Sequence, residues 1–179
     1  MALLGLDLGI NRTGFCVGDG STVPLASALR YEPVGEDFGA LGVPFKRDLI
    51  RLIGDHGVER VIYEAPLKLR HDSMLTLRKI YGMGFLLETA CAEIGVPCRE
   101  EDPKPVKLEL TGTRKADKDA MVLAARRAGM SLPRTKADGM EDAADAFAVW
   151  LVAVRLYAKQ HLPLWDQRIH GRAFTLRGQ

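Results

Sequence analysis

Residues 143–154, from Ala143 to Val154, are apolar around the whole circumference of a helix, broken only by Asp145. That pattern belongs to a buried helix rather than a surface one. Its head is acidic, with Glu141, Asp142 and Asp145 within five positions. Acids in a first helical turn complement the macrodipole, each by about 0.3–1 kcal/mol. This accounts for any one of the three, but least well for Asp145. At helical spacing Asp145 shares a stripe with Ala148, Val149 and Val152. A carboxylate on such a face is costly unless a cation or hydrogen-bond donors satisfy it.

The remainder of the chain supplies the elements that would surround this helix. Residues 2–10, 13–20 and 23–31 read as three strands in close succession, an antiparallel meander. Apolar positions at Leu41, Phe45, Leu49, Leu52 and Ile53 have a helical period, and the short β-branched run 60–63 is a fourth strand. A long helical pattern covers 73–94, and 95–100 is a fifth strand. A helix over 116–129 has Asp117 as N-cap and Gly129 past its end. The order predicts an α/β layered fold with a five-stranded mixed sheet flanked by helices. The 179 residues suit one domain over 1–157. Residues 158–179 read as a basic C-terminal tail, peripheral or partly ordered.

Composition narrows the function classes. No apolar run approaches the roughly 18 residues needed to span a membrane, and no leader is expected ahead of the strand that starts near Leu3. Cys16, Cys91 and Cys98 are odd in number and lack paired metal spacing, so they read as reduced, structural and cytoplasmic. The four histidines are scattered, which argues against zinc. Charge is uneven under a net +2. Residues 66–140 carry 14 Lys and Arg against 10 Asp and Glu, whereas residues 1–65 carry 6 against 9. A basic middle is most often a solvated face and is a weak sign of nucleic acid by itself.

Two further acids are misplaced for packing. Asp7 lies within the first strand between Leu6 and Leu8, and Glu64 ends the fourth, just before Ala65-Pro66. If those strands are neighbours, both acids reach one region of the sheet, and the acidic helix head would complete a cluster there. Four carboxylates without basic partners repel one another and are stable around cations. Oxygen ligands in that number suit magnesium or manganese, and two such ions can clamp a phosphoryl displacement.

At this point the sequence resembles the ribonuclease-H-like superfamily, and within it the RuvC-type Holliday-junction resolvases, in a divergent, phage-type form. The likeness rests on GLDLGINRTGFCV (5–17), VIYEAP (61–66), PKPVKLELTGTRKADK (103–118) and DAADAFAV (142–149). The resemblance implies a ribonuclease-H-like fold and a structure-specific endodeoxyribonuclease that resolves four-way DNA junctions by paired phosphodiester hydrolysis. It implies Asp7, Glu64, Asp142 and Asp145 as catalytic metal ligands, with two magnesium ions per site and manganese as a substitute. Glu141 is then a helix cap. It implies a homodimer, since a twofold protein matches a twofold substrate.

Lys118 matches a catalytic lysine near the scissile phosphate, and Lys107 a second lysine there. Charge and closeness to Glu64 or to the 103–118 segment add Lys68, Arg70, Arg78, Lys79, Arg114 and Lys115 as DNA contacts. Gly82 and Gly84 lie in the helix resembling the family's dimer element, where small residues permit close approach; they also read as a simple kink.

One position departs from the family. Leu67 stands where an aromatic ring is common, and it is expected on the DNA as an apolar contact without a stacking face. The expectation is a nuclease that leans on phosphate contacts and also nicks other branched DNA. Three rivals remain: an actin-like phosphotransferase, for which 179 residues leave no second domain, a YqgF-like nuclease acting on structured RNA, and a junction binder without catalysis, which the complete set of acids disfavours. No helicase partner can be read from the sequence.

Overall fold

The computed structural model describes residues 1–32, 35–66 and 73–171. Its strands are β1 (Ala2–Asp7), β2 (Arg12–Gly18), β3 (Leu25–Arg30), β4 (Val58–Glu64) and β5 (Cys98–Glu101). They form one sheet in the order β3-β2-β1-β4-β5, with β1–β2 and β2–β3 antiparallel and β1–β4 and β4–β5 parallel. The mixed five-stranded sheet is the one expected. The helices are α1 (Phe38–Asp55), α2 (Met74–Glu93), α3 (Pro103–Thr111), α4 (Lys118–Arg127), α5 (Met140–Tyr157) and α6 (Leu162–His170). Among the described residues, no helix is long and apolar enough to cross a membrane.

Alternation along the strands divides the molecule into two cores. Leu4, Leu6, Phe15, Val17, Val61 and Tyr63 face α1 and α2. Leu3, Cys16, Ala26 and Ile62 face α5 and the helices around it. Side chains two apart on a strand share a face. Asp7 therefore follows Leu3 and Gly5 onto the α5 face, and Glu64 follows Ile62 onto the same face.

Helix α5 lies unusually close to the sheet. A Cβ at Gly5 would stand 2.5 Å from the backbone nitrogen of Trp150 and 2.8 Å from the carbonyl of Ala146. A Cβ at Gly14 would strike the Asp142 carbonyl. Glycine at these two positions lets the helix backbone rest directly on β1 and β2. Residues 146–154 of α5 are then buried on all sides, as their composition required.

Two features differ from the sequence expectation. Residues 103–111 form a helix, α3, where the sequence pattern showed none. Asp102 caps it by accepting from the Lys104 amide at 2.7 Å, Pro103 opens it and Gly112 closes it at φ +73°. Two prolines in three residues conceal this helix, although both sit in its first turn, where the missing N–H groups would be unpaired anyway. The packed core also runs past the boundary drawn at 157. Trp165 is buried, donates its indole N–H to the Gly20 carbonyl at 2.8 Å and stacks edge-on against Trp150 at 5.1 Å. Residues 172–179 lie outside the described residues.

Candidate active site

The register of the sheet brings the first two acids together. Leu6 pairs with Tyr63 across the parallel β1–β4 ladder, so Asp7 and Glu64 follow side by side at the C-terminal ends of the two strands. On the other side Asp7 pairs with Gly14, and over Gly14 lies the backbone of Asp142. The close seat of α5 thus sets Asp142 and Asp145, one turn apart, above the pair of strand ends. Three separate stretches of chain contribute to one acidic cluster.

The electrostatics bear out the crowding. Burial raises the Asp7 carboxyl well above its ordinary value, with Asp145, Glu64 and Asp142 pushing the same way and only Lys118 opposing. Glu64 is raised to about 7, by burial first and Asp145 next, against Lys107 and Lys118. Asp145 is raised by burial, with Lys118 and Lys107 pulling it back. Three of the four acids therefore resist ionisation in the free protein.

Each helix acid faces a cation. The Lys118 ammonium donates to Asp145 Oδ2 at 3.1 Å. Burial opposes that ammonium, but its attraction to Asp145, Asp7 and Asp142 prevails, and its pKa is raised. Arg12 places Nε 2.9 Å from Asp142 Oδ2 and donates Nη1 to the Ala137 carbonyl at 3.2 Å. The Nε–H is not aimed at the carboxylate, so the two groups form an ion pair without a hydrogen bond. Among the described residues, Asp142 Oδ2 is left buried with no hydrogen-bond donor. Arg12 escaped the sequence reading because it fell in the gap between the runs 2–10 and 13–20 read as strands. Its position two before Gly14, which pairs with Asp7, puts it on the α5 face.

With the helix acids turned to these cations, no three acidic, histidine or cysteine side chains among the described residues close on one point at ligand distance. The donor set nevertheless fits a divalent cation. Asp7 and Glu64 make no ion pair among the described residues and have raised pKa values, so the strand acids lack a neutralising partner, and hard oxygen ligands match hard ions. Glu141 points elsewhere, to Lys136 Nζ at 2.6 Å, and that ion pair lowers its pKa. It makes no capping hydrogen bond, Gly139 being the N-cap residue, but lies in the first turn of α5, where an acid complements the macrodipole.

The basic candidates separate. Lys107 donates to the Ala116 carbonyl at 3.3 Å and lies close enough to lower the Glu64 and Asp145 carboxyls. Arg114 and Lys115 are exposed on the loop between α3 and α4, and Arg78 is exposed on α2. Lys79 is a correction: it is buried, and its ammonium is taken up by the Gly35 carbonyl. A side chain packed inward on α2 has no phosphate to meet. Leu67, Lys68 and Arg70 lie outside the described residues. Gly82 and Gly84 are also used within the chain. Phe38 fills the space over Gly82, and Gly84 is buried, where an added Cβ would stand 3.8 Å from the Tyr63 ring.

No family model matches the sequence. The chain is 31% identical over 160 residues to the crossover junction endodeoxyribonuclease RuvC of Synechococcus sp. (strain CC9311), covering 84% of this chain and 96% of that protein. It is 32% identical over 153 residues to the protein of the same name from Halorhodospira halophila, covering 83% and 87%. Among solved structures, Thermus thermophilus RuvC in complex with Holliday junction substrate superposes with a TM-score of 0.70 at 23% identity, over 89% of this chain and 96% of that one. That likeness shows the fold, which is ribonuclease-H-like.

Proposed function

This chain belongs to the RuvC family of crossover junction endodeoxyribonucleases, and from that membership we propose that it resolves four-way DNA junctions at Asp7, Glu64, Asp142 and Asp145. The observation that carries the site is the convergence of these four acids, from two strand ends and one helix turn, with raised pKa values for three of them. The family is metal-dependent, and these four carboxylates would hold the ions, magnesium being the best match to an all-oxygen donor set. Bound divalent ions supply an activated water and stabilise charge developing on the phosphate.

The chain's own residues orient the reaction. Lys118 keeps one N–H on Asp145 and has two more with which to hold a phosphate oxygen. Lys107 fixes the loop before α4 through the Ala116 carbonyl and offsets the charge of Glu64 and Asp145. Arg114 and Lys115, exposed on that loop, are suited to backbone phosphates. A DNA substrate and three free cysteines fit a cytoplasmic setting.

A homodimer fits an exposed stripe on α2, comprising Met74, Arg78, Tyr81, Phe85 and Glu88. Tyr81 is 51% exposed and Phe85 70% exposed. Two antiparallel copies related by a twofold axis between Tyr81 and Phe85 would set each Tyr81 against the partner copy's Phe85 position. The same axis brings Arg78 to the position of Glu88 in the other copy. A stripe complementary to itself is what an isologous interface requires.

The test is metal-dependent cleavage of a four-way junction beside linear duplex and structured RNA. Asp7→Asn, Glu64→Gln, Asp142→Asn and Asp145→Asn should each lose at least about 100-fold in rate while keeping junction binding. Glu141→Gln should remain active. Preferential cleavage of RNA would favour the YqgF-like reading. An inactive Glu141→Gln beside an active Asp142→Asn would overturn the assignment of the helix acids.

A further inference from the structure

Beside the acid cluster the sheet carries an arrangement that packing alone does not account for. Arg12 of β2 and Arg30 of β3 are direct partners in the antiparallel ladder. Alternation puts both on the α5 face, since Arg12 follows Gly14 and Cys16 while Arg30 follows Ala28 and Ala26. Directly opposed side chains have Cβ atoms roughly 4.5–5.5 Å apart, and like charges there are destabilising. Among the described residues, Arg30 has no ion pair and no side-chain hydrogen bond. Arg12 uses Nε at Asp142 and Nη1 at the Ala137 carbonyl, which leaves Nη2 without a partner among the described residues.

The two arginines line one cavity of about 270 Å³ together with Asn11, Tyr31 and Glu32. Such a volume accommodates a phosphate group and several waters, each water taking roughly 30 Å³. Asn11 adds an amide donor. Glu32 is exposed and pairs with neither arginine among the described residues. Because Arg12 also touches Asp142, the cavity adjoins the acids directly.

We propose that Arg12, Arg30 and Asn11 form a subsite for a DNA backbone phosphate next to the one being cut. Resting on the nuclease reading, the subsite extends the DNA path across β2 and β3, on the opposite side of the acids from Lys107, Arg114 and Lys115. Arginine suits the role because its planar fork binds phosphate oxygens two at a time. An anion between the two guanidinium groups replaces their repulsion with two attractions. Arg12 then serves twice, facing Asp142 through Nε and the DNA through Nη2.

Arg30 separates these roles, since it forms no ion pair with any of the acids among the described residues. For Arg30→Ala, junction affinity should fall several-fold, and the log–log salt dependence should flatten by about 0.9 for each arginine lost. KM should rise with kcat at saturating junction unchanged, and Arg30→Lys should recover part of the affinity. The free variant should melt at or above the wild-type temperature in low salt, because a like-charge pair has been removed. Equal affinity and salt slope in Arg30→Ala and wild type would overturn the subsite. So would a lowered melting temperature, which would make Arg30 a structural residue. If the wild-type protein itself neither binds nor cuts four-way junctions, the nuclease reading fails first, and that result is distinct from both.

Discussion

Lys118 Nζ stands 3.1 Å from Asp145 Oδ2, joining the first residue of α4 to the second turn of α5 across 27 residues of sequence. The contact holds a cation against a carboxylate that burial would otherwise drive toward its neutral form. Lys118→Ala should lower the cleavage rate about 100-fold with little change in junction affinity. Lys118→Arg should retain part of the rate. Single-turnover cleavage measured alongside binding separates the two effects. Equal losses in both would make Lys118 a DNA anchor instead.

The acid cluster makes a definite statement about pH. Glu64 is raised from an ordinary 4.5 to about 7, and Asp7 and Asp145 are raised with it. An acid with a raised folded-state pKa binds more protons folded than unfolded within that window, so stability falls as pH rises through it. Metal-free protein should therefore lose thermal stability between about pH 4.5 and 7. Glu64→Gln should flatten that decline and stabilise the metal-free protein at pH 8. Magnesium should raise the melting temperature of wild type at pH 8 and do so less for the variant. A metal-free wild type that grows more stable from pH 5 to 7 would contradict this account.

Gly14 sets the distance between the helix acids and the strand acids. An added methyl there meets the carbonyl of Asp142, so Gly14→Ala must lift the head of α5 from the sheet. Overpacking of this kind costs about 1–3 kcal/mol. Cleavage should fall with it, since Asp142 and Asp145 move together away from Asp7. Denaturant unfolding and cleavage of the same preparation provide the check. A stable and active Gly14→Ala would mean that the site tolerates more displacement than its close packing suggests.

The α2 stripe predicts how copies of the chain associate. Phe85→Asp should yield a monomer in sedimentation and should uncouple the paired cuts on a junction. Arg78→Glu should weaken the dimer, and the double variant Arg78→Glu, Glu88→Arg should restore it, because the charges exchange across the twofold axis. Failure of the double variant to recover would place the axis elsewhere on the helix. Dimerisation untouched by Phe85→Asp would remove α2 from the interface.

The sequence by itself determined the parts of this protein that depend on local pattern. A helix apolar on all sides had to be buried, β-branched and alternating runs had to be strands, and acids inside those elements had to be held by something other than packing. Asp7 and Glu64 stood out for that reason, whereas the choice of Asp142 and Asp145 over Glu141 came from the family resemblance, and the mixed sheet followed from the order of the elements. The tertiary structure alone decided which polar groups meet. The inward turn of Lys79 to the Gly35 carbonyl depends on a partner 44 residues away, so charge and sequence position suggested a DNA contact that burial excludes. Arg12 and Arg30 face each other only because β2 and β3 pair in one register. Gly82 looked like an external contact until Phe38 packed over it. Trp165 joined the core only through a tertiary hydrogen bond to the Gly20 carbonyl and contact with Trp150. Periodicity is a local property that a chain displays before it folds, whereas the destination of a long side chain depends on groups far away in sequence, which only folding brings near.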